Sequence, residues 1–415
     1  MQQIETGRPV PPCVREDGRY TRSLGLGTLG KAVGSRRQAL SAPLPRKLET
    51  LDEQALTERL IAYDTSDPSG IKSAAEFVRG WLEARDIPVQ EFDVRGLPVL
   101  ASVAGAEHGP TVVLHGHIDV VPAREEQFTP RVEGDRLYGR GAYDMKGGLA
   151  GMMNAVEELR LQQDVRVVFV VVPDEESEET SERATDYLVK QGYIGDFAIT
   201  GEPTDLHIGI QAKGVLAMRL EISGTAAHGA TPWLGENAVL KALDAFRSIE
   251  SQPFARQSSD LFDRPSINLG RILGGDSHNK VPDSCVIDVE IRYLPGQKPE
   301  EILRQVAELP DVRVVRHFFR APAIVDRNNP FVGVLTESVA GFLETEALGI
   351  GRDGASDAIC FIMAGVPAVE FGPIGAGHHG PGEWVSIASL PLYTRALVDF
   401  IRLIPKRLGR HLRIA

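Results

Sequence analysis

Cysteine is scarce in this sequence. Cys13, Cys285 and Cys360 are the only three among 415 residues. They are odd in number, widely separated and outside any metal-ligand spacing. That argues against a disulfide framework and for a reducing, cytoplasmic setting. Positive charge is also short: 45 Lys and Arg stand against 57 Asp and Glu, a formal charge of −12. Nucleic acid is therefore not an expected partner, since phosphate binding wants a basic face. Long apolar runs are missing as well. None approaches the roughly 20 residues that a membrane helix needs, so no membrane span is expected. Aromatic residues make up only 6%, against 42% hydrophobic and 25% charged, a soluble globular composition. A chain of this length exceeds one ordinary core, so two domains are expected.

The first 47 residues differ from the rest of the chain. They hold nine Lys or Arg and three acids, a net of +6, which leaves −18 for the remainder. Gly, Pro and Ser are frequent and no apolar period is visible, so residues 1–47 read as a disordered basic tail. No apolar region succeeds these charges, and a secretory signal is not expected.

Folded sequence begins near Leu48. A helical pattern from Leu51 to Ala62 precedes the turn-rich stretch from Asp64 to Gly70, and a second helix is predicted from about Ser73 to Arg85. Strands and helices then alternate: Val99–Val103, Thr111–Ile118, a helix over 148–161, Arg166–Val172, a helix over 181–191 and Phe197–Thr200. Such alternation predicts an α/β fold, a mostly parallel sheet with helices on both faces. At Gly214 the pattern changes. Val215–Ser223 alternates with period two and opens the order strand, helix, strand, strand, helix, strand of a ferredoxin-like split βαβ unit. After Ala321 the α/β pattern resumes with helices over 330–345, 355–364 and 387–403 and a strand Ala368–Gly372. The expected organisation is a catalytic domain made of two segments, 48–213 and 322–415, with an inserted α+β lid and dimerisation domain over 214–321.

Four apolar strands end in residues able to ligate a metal. TVVLHGHID carries His117 and Asp119, and GRGAYDMKGG follows it with Asp144 behind a glycine turn. VRVVFVVVPDEE ends in Glu175 and Glu176, FAITGEPT in Glu202, and PAVEFGPIGAGHHGPGEW in His378 and His379. In an open α/β sheet the site lies outside the carboxyl ends of the strands, where these clusters can converge. Imidazole with carboxylates suits a borderline-soft divalent ion such as zinc. Neighbouring glutamates at a strand end diverge, so one can face a metal and the other its water. Each cluster alone is an ordinary solvated strand end; four in succession are hard to obtain by accident.

GHIDVVP, GRGAYDMKGG, PDEE, GEPT, AHGATPWLGENA and HHGPGEWV resemble the motif series of the metallohydrolase family that includes acetylornithine deacetylase, succinyl-diaminopimelate desuccinylase, glutamate carboxypeptidase and aminoacylase. The resemblance runs from about residue 50 to the C-terminus and includes the lid. It implies two Zn²⁺ per subunit, with Co²⁺ or Mn²⁺ as substitutes. His117 and Glu202 would bind one ion, Glu176 and His379 the other, and Asp144 would bridge them across a cis peptide to Met145. His379 is chosen over His378 because it stands two before Pro381 in a His-x-Pro-x-Glu pattern, where Gly382 replaces the usual Asn or Asp. The resemblance makes Glu175 the general base and Asp119 the residue that orients His117. It places His228 at the site of a neighbouring subunit, and Asn279, Arg292 and Gly354 against the substrate.

The reading is a metal-dependent amidohydrolase that cleaves an N-acyl amino acid or short peptide as a homodimer through the lid. A dipeptidase or carboxypeptidase is the alternative among enzymes. A non-catalytic peptide-binding relative is the alternative outside them. Such a relative is expected to lose a ligand or the base, and here none is missing.

Overall fold

The computed structural model describes residues 52–177, 183–341, 343 and 348–409. The basic tail read over 1–47 lies outside them. The described chain opens with α1 (Glu53–Ile61) and α2 (Pro68–Glu83). α2 begins at Pro68, earlier than apolar periodicity places it. Asp67 caps it, Oδ1 accepting from Ser69 N at 2.7 Å and Gly70 N at 3.3 Å. Pro68 occupies the first helical position, where its missing N–H is no loss. The apparent turn is a helix start.

Strands β1 (Val89–Val94), β2 (Leu97–Gly105) and β3 (Thr111–His117) follow, then the short β4 (Arg131–Glu133) and β5 (Arg136–Tyr138). Next come α3 (Gly147–Leu159), β6 (Arg166–Val172), α4 (Ala184–Lys190), β7 (Phe197–Thr200) and β8 (Ile208–Ala212). The middle of the chain holds β9 (Gly214–Ser223), α5 (Ala238–Glu250), β10 (Ser266–Gly274), β11 (Ser284–Tyr293), α6 (Pro299–Ala307) and β12 (Val312–Arg320). The C-terminal third runs β13 (Ala323–Ile324), α7 (Pro330–Ala340), β14 (Gly349–Arg352), α8 (Ala358–Met363) and β15 (Ala368–Glu370). It finishes with β16 (Gly375–Ala376), β17 (Trp384–Ser386) and α9 (Ser389–Arg407).

The main sheet has the order β1-β2-β6-β3-β7-β15-β8-β13, with β14 also on β8. Its centre, β6 through β15, is parallel. These central strands are apolar throughout because both faces are covered. Val167, Phe169 and Val171 of β6 pack with α2, α3, α7 and α9, where Phe197 stacks on Phe331 at 5.0 Å. The alternate residues Val168, Val170 and Val172 face α4 and α8, against Leu188 and Phe361. The carboxyl ends of β6, β3, β7 and β15 therefore stand side by side.

A second, antiparallel sheet has the order β10-β11-β9-β12, the arrangement of a ferredoxin-like split βαβ unit. Leu216, Met218, Leu220 and Ile222 alternate inward along β9 onto a core shared with α5 and α6. The chain returns from this unit through β13, which pairs with β8 at Ala323↔Ala212 and Ile324↔Gln211. A third small sheet, β16-β17-β5-β4, holds the loop that carries His379. Among the described residues no helix is long and apolar enough to cross a membrane.

Candidate metal centre

His117 is the last residue of β3 and is fully buried. Its Nδ1 lies 3.0 Å from the main-chain oxygen of Asp119 and 3.5 Å from Asp119 Oδ1. A carbonyl oxygen can only accept, so Nδ1 donates to it, and with a metal bound Nε2 would be the ligating nitrogen. Nε2 faces Asp144 Oδ1 at 3.2 Å. The Asp119 carboxylate also accepts from Glu175 N at 3.2 Å and Glu176 N at 2.9 Å, which pins the turn after β6 to the end of β3.

Asp144 is delivered by a left-handed turn at Gly141, φ 79°, and its peptide to Met145 is cis. Tyr143 N and Asp144 N both donate to Glu383 Oε1, at 3.0 and 3.1 Å. Arg140 donates to Glu383 Oε2 at 2.7 Å and to the His379 carbonyl at 3.0 Å. These bonds tie the Asp144 loop to the His379 loop. His379, at φ 61°, presents Nε2 at 2.8 Å to Glu176 Oε1 and 3.5 Å to Asp144 Oδ2. The two oxygens of Asp144 thus face two different imidazoles. Glu202, beyond β7, is buried, and its Oε1 has no hydrogen-bond partner among the described residues.

Charge is dense here. Burial pushes the Glu202 carboxyl well above its usual range, and Asp144 adds to the effect. Burial would do the same to Asp144, but hydrogen bonds from His117 and His379 hold it well below. Bonds to Asp144 and Glu176 raise His379 to about 10. Burial opposes charge on His117, yet Asp119 and Asp144 outweigh it and raise its pKa. Burial lifts Glu175 to about 7, opposed by Arg183. Glu175 Oε1 accepts from Arg183 Nη1 at 2.8 Å, so its carboxylate turns away from that of Glu176, which meets His379.

A metal fits these residues. Single donor atoms of His117, Asp144 and Glu176 lie within 4.8 Å of one another. A buried carboxylate oxygen without a partner costs roughly 1–3 kcal/mol unless something satisfies it, and a cation beside Glu202 would. Imidazole and carboxylate donors without sulfur are what a borderline divalent ion takes.

The remaining sequence candidates stand apart. His228 is exposed in the second sheet's loops, its Nδ1 accepting from Ala230 N at 3.0 Å. It bridges to Lys280, and Gly229 N donates to Asn279 O at 2.7 Å, so His228 and Asn279 are neighbours. Arg292 on β11 pairs with Glu290 at 2.7 Å, and Gly354 lies exposed before α8. Among the described residues no hydrogen bond or ion pair joins these four to the His–carboxylate cluster. Sequence reasoning missed Arg140, which meets Glu383 far off in the chain, and Arg183, which meets the nearby Glu175 and the distant Asp357. It also passed over Asp357, although that residue stands in the GASDA stretch from which Gly354 was chosen.

The sequence pattern of peptidase family M20/M25/M40 matches residues 113–403. A succinyl-diaminopimelate desuccinylase of Leptothrix cholodnii is 30% identical over 374 residues, 83% of this chain and 97% of that one. The enzyme of that name from Gluconobacter oxydans is 32% identical over 327 residues, 73% and 84% of the two chains. Among solved structures, an M20 family metallo-carboxypeptidase from Sulfolobus solfataricus superposes with a TM-score of 0.70 at 20% identity. The superposition covers 86% of this chain and 100% of that one, a likeness of fold. The family pattern spans most of the folded sequence and overlies every residue of the His–carboxylate cluster, so the chain belongs to peptidase family M20/M25/M40 and is a metal-dependent hydrolase of amide bonds.

Proposed function

We propose that the chain is a dizinc deacylase of N-acyl amino acids, of the kind named for its desuccinylase relatives. The observation that carries this reading is Asp144, set between two imidazoles: Oδ1 is 3.2 Å from His117 Nε2 and Oδ2 is 3.5 Å from His379 Nε2. On this reading His117 and Glu202 hold one ion, Glu176 and His379 the other, and Asp144 serves both. Two zinc ions, or Co²⁺ or Mn²⁺ in their place, would supply Lewis acidity toward the scissile carbonyl and a water of lowered pKa. Asp119 orients His117 through Nδ1 and sets the Glu175–Glu176 turn with two accepted hydrogen bonds. Glu175 takes the proton of the attacking water and returns it to the leaving nitrogen.

Residues 48–213 and 322–415 form the catalytic domain on this reading, and 214–321 the lid. His228 helps stabilise the oxyanion in the site of a partner subunit, with Asn279, Arg292 and Gly354 on the substrate side. Support for a homodimer comes from Trp233 and Leu234, 76% and 70% exposed on the lid, and from the edge of β10, which pairs with no further strand among the described residues. Support for a cytoplasmic setting comes from Cys285 and Cys360, both buried and unpaired.

The test is a screen of the zinc-loaded protein against N-succinyl, N-acetyl and N-formyl amino acids and dipeptides. The highest kcat/KM is expected on an N-acyl amino acid. Faster cleavage of dipeptides would make it a dipeptidase or carboxypeptidase. No turnover of any, with metals bound, would make it a peptide-binding relative.

A further inference from the structure

We propose that Arg183 is a positioning residue for the reaction, an anchored guanidinium that holds Glu175 by one oxygen and leaves the other to receive the proton. The proposal rests on the reading of Glu175 as the base. Arg183 Nη1 lies 2.8 Å from Glu175 Oε1 and 2.7 Å from Asp357 Oδ1, so a single nitrogen spans both carboxylates. The Arg183 and Glu175 side chains are 10% and 11% exposed, and Asp357 is fully buried.

The anchor is itself held. Asp357 Oδ2 accepts from Thr185 Oγ1 and lies 3.5 Å from His115 Nε2, and that same nitrogen is 2.8 Å from Thr185 Oγ1. His115 belongs to β3, Thr185 to α4, and Asp357 immediately precedes α8. Three regular elements therefore fix the carboxylate that anchors Nη1, and from that anchor the same nitrogen reaches Glu175 on the turn after β6. Groups that must meet a reacting atom within a fraction of an ångström are best supported by such elements.

Stability alone does not account for this arrangement. Exchanging buried ion pairs for well-packed apolar groups is often neutral or favourable, so their presence is weak evidence of a structural role. Arg183 Nε is buried with no hydrogen-bond partner among the described residues. The group is thus imperfectly satisfied for packing, while its Nη1 is aimed at the base. With Oε1 engaged by Arg183, rotation of the Glu175 carboxylate is restrained and Oε2 is the atom free to act.

The test compares Arg183→Met, Arg183→Lys, Glu175→Gln and the Arg183→Met/Glu175→Gln pair, each loaded with zinc. Arg183→Met should lower kcat about 10²-fold, the scale of a misplaced catalytic group. KM should stay within about twofold, and metal content should match wild type. Arg183→Lys, which restores a donor, should recover some of the loss. Adding Arg183→Met to Glu175→Gln should cost no more than about a further twofold, because Arg183 acts through Glu175. Unchanged kcat in Arg183→Met, an effect on KM alone, loss of metal, or full additivity in the pair would each overturn the proposal. Wild-type turnover in Glu175→Gln would instead overturn the base assignment, and the proposal with it. Should Arg183→Met not fold, Asp357→Asn loosens the anchor while keeping its shape. A drop in kcat of about tenfold with metals retained is then expected, and an unchanged kcat overturns the proposal.

Discussion

At the scale of single residues, two adjacent glutamates are assigned different work. Glu176 meets His379 at 2.8 Å, while Glu175 turns to Arg183. Glu175→Gln should keep the wild-type metal content while turnover falls by several orders of magnitude. Proton transfer alone contributes typically about 10² to 10⁴-fold, and the base also places the water. Glu176→Gln should lose much of its bound metal. Elemental analysis beside a rate assay checks both, and metal loss in Glu175→Gln would reverse the assignment. That these residues belonged together was legible in the sequence, because each follows an apolar strand that could end at a common edge. The second task of Asp119, beyond orienting His117, was not. Its bonds to Glu175 N and Glu176 N exist because β3 and β6 are adjacent, and strand order is not written in periodicity. Arg183 left no trace for a similar reason: an ion-pair partner obeys no spacing.

At the scale of elements, α3 and α9 meet closely in the core under the main sheet. A Cβ placed on Gly151 would lie 2.6 Å from Tyr393 Cδ1 and 3.3 Å from Thr394 Oγ1. Overpacking costs about 1–3 kcal/mol, while replacing a helical glycine by alanine gains about 1 kcal/mol. Gly151→Ala should therefore destabilise by on the order of 1 kcal/mol in urea unfolding. A rise in stability would mean that the two helices have room between them. Long apolar elements such as β6 and α9 were readable from their pattern. β1 was not, because in the edge strand VQEFDV no residue is fully buried and half are exposed. β8 and β13 were missed for a different reason. They are short, and what defines them is pairing with strands distant in the chain, β8 with β13, β14 and β15 and β13 with β8.

At the scale of the whole molecule, the proposed dimer predicts activity shared between chains. Glu175→Ala and His228→Ala should each be nearly inactive. Mixed in equal amounts, unfolded and refolded, half of the dimers should be hybrids with one site that combines an intact Glu175 with an intact His228. Activity should return to about a quarter of wild type. Recovery no higher than either variant alone, with hybrids shown to be present, would confine His228 to its own chain or remove it from catalysis. Chelation should abolish hydrolysis and lower Tm, since ions that bind only the folded chain stabilise it by mass action. An unchanged Tm would mean that the ions add nothing to the folded state.

The strand order β7-β15-β8 also sets a timetable. β15 and the loop bearing His379 are made after the entire inserted unit, yet they slot between two strands made before it. A nascent chain has His117, Asp144, Glu176 and Glu202 in hand while the gap between β7 and β8 is still open. During that interval two strand edges are unpaired, and a delay would expose them to other chains. Closing the gap brings in the last proposed ligand. On the proposed ligand set, hydrolytic activity would therefore switch on only after the inserted unit has been made.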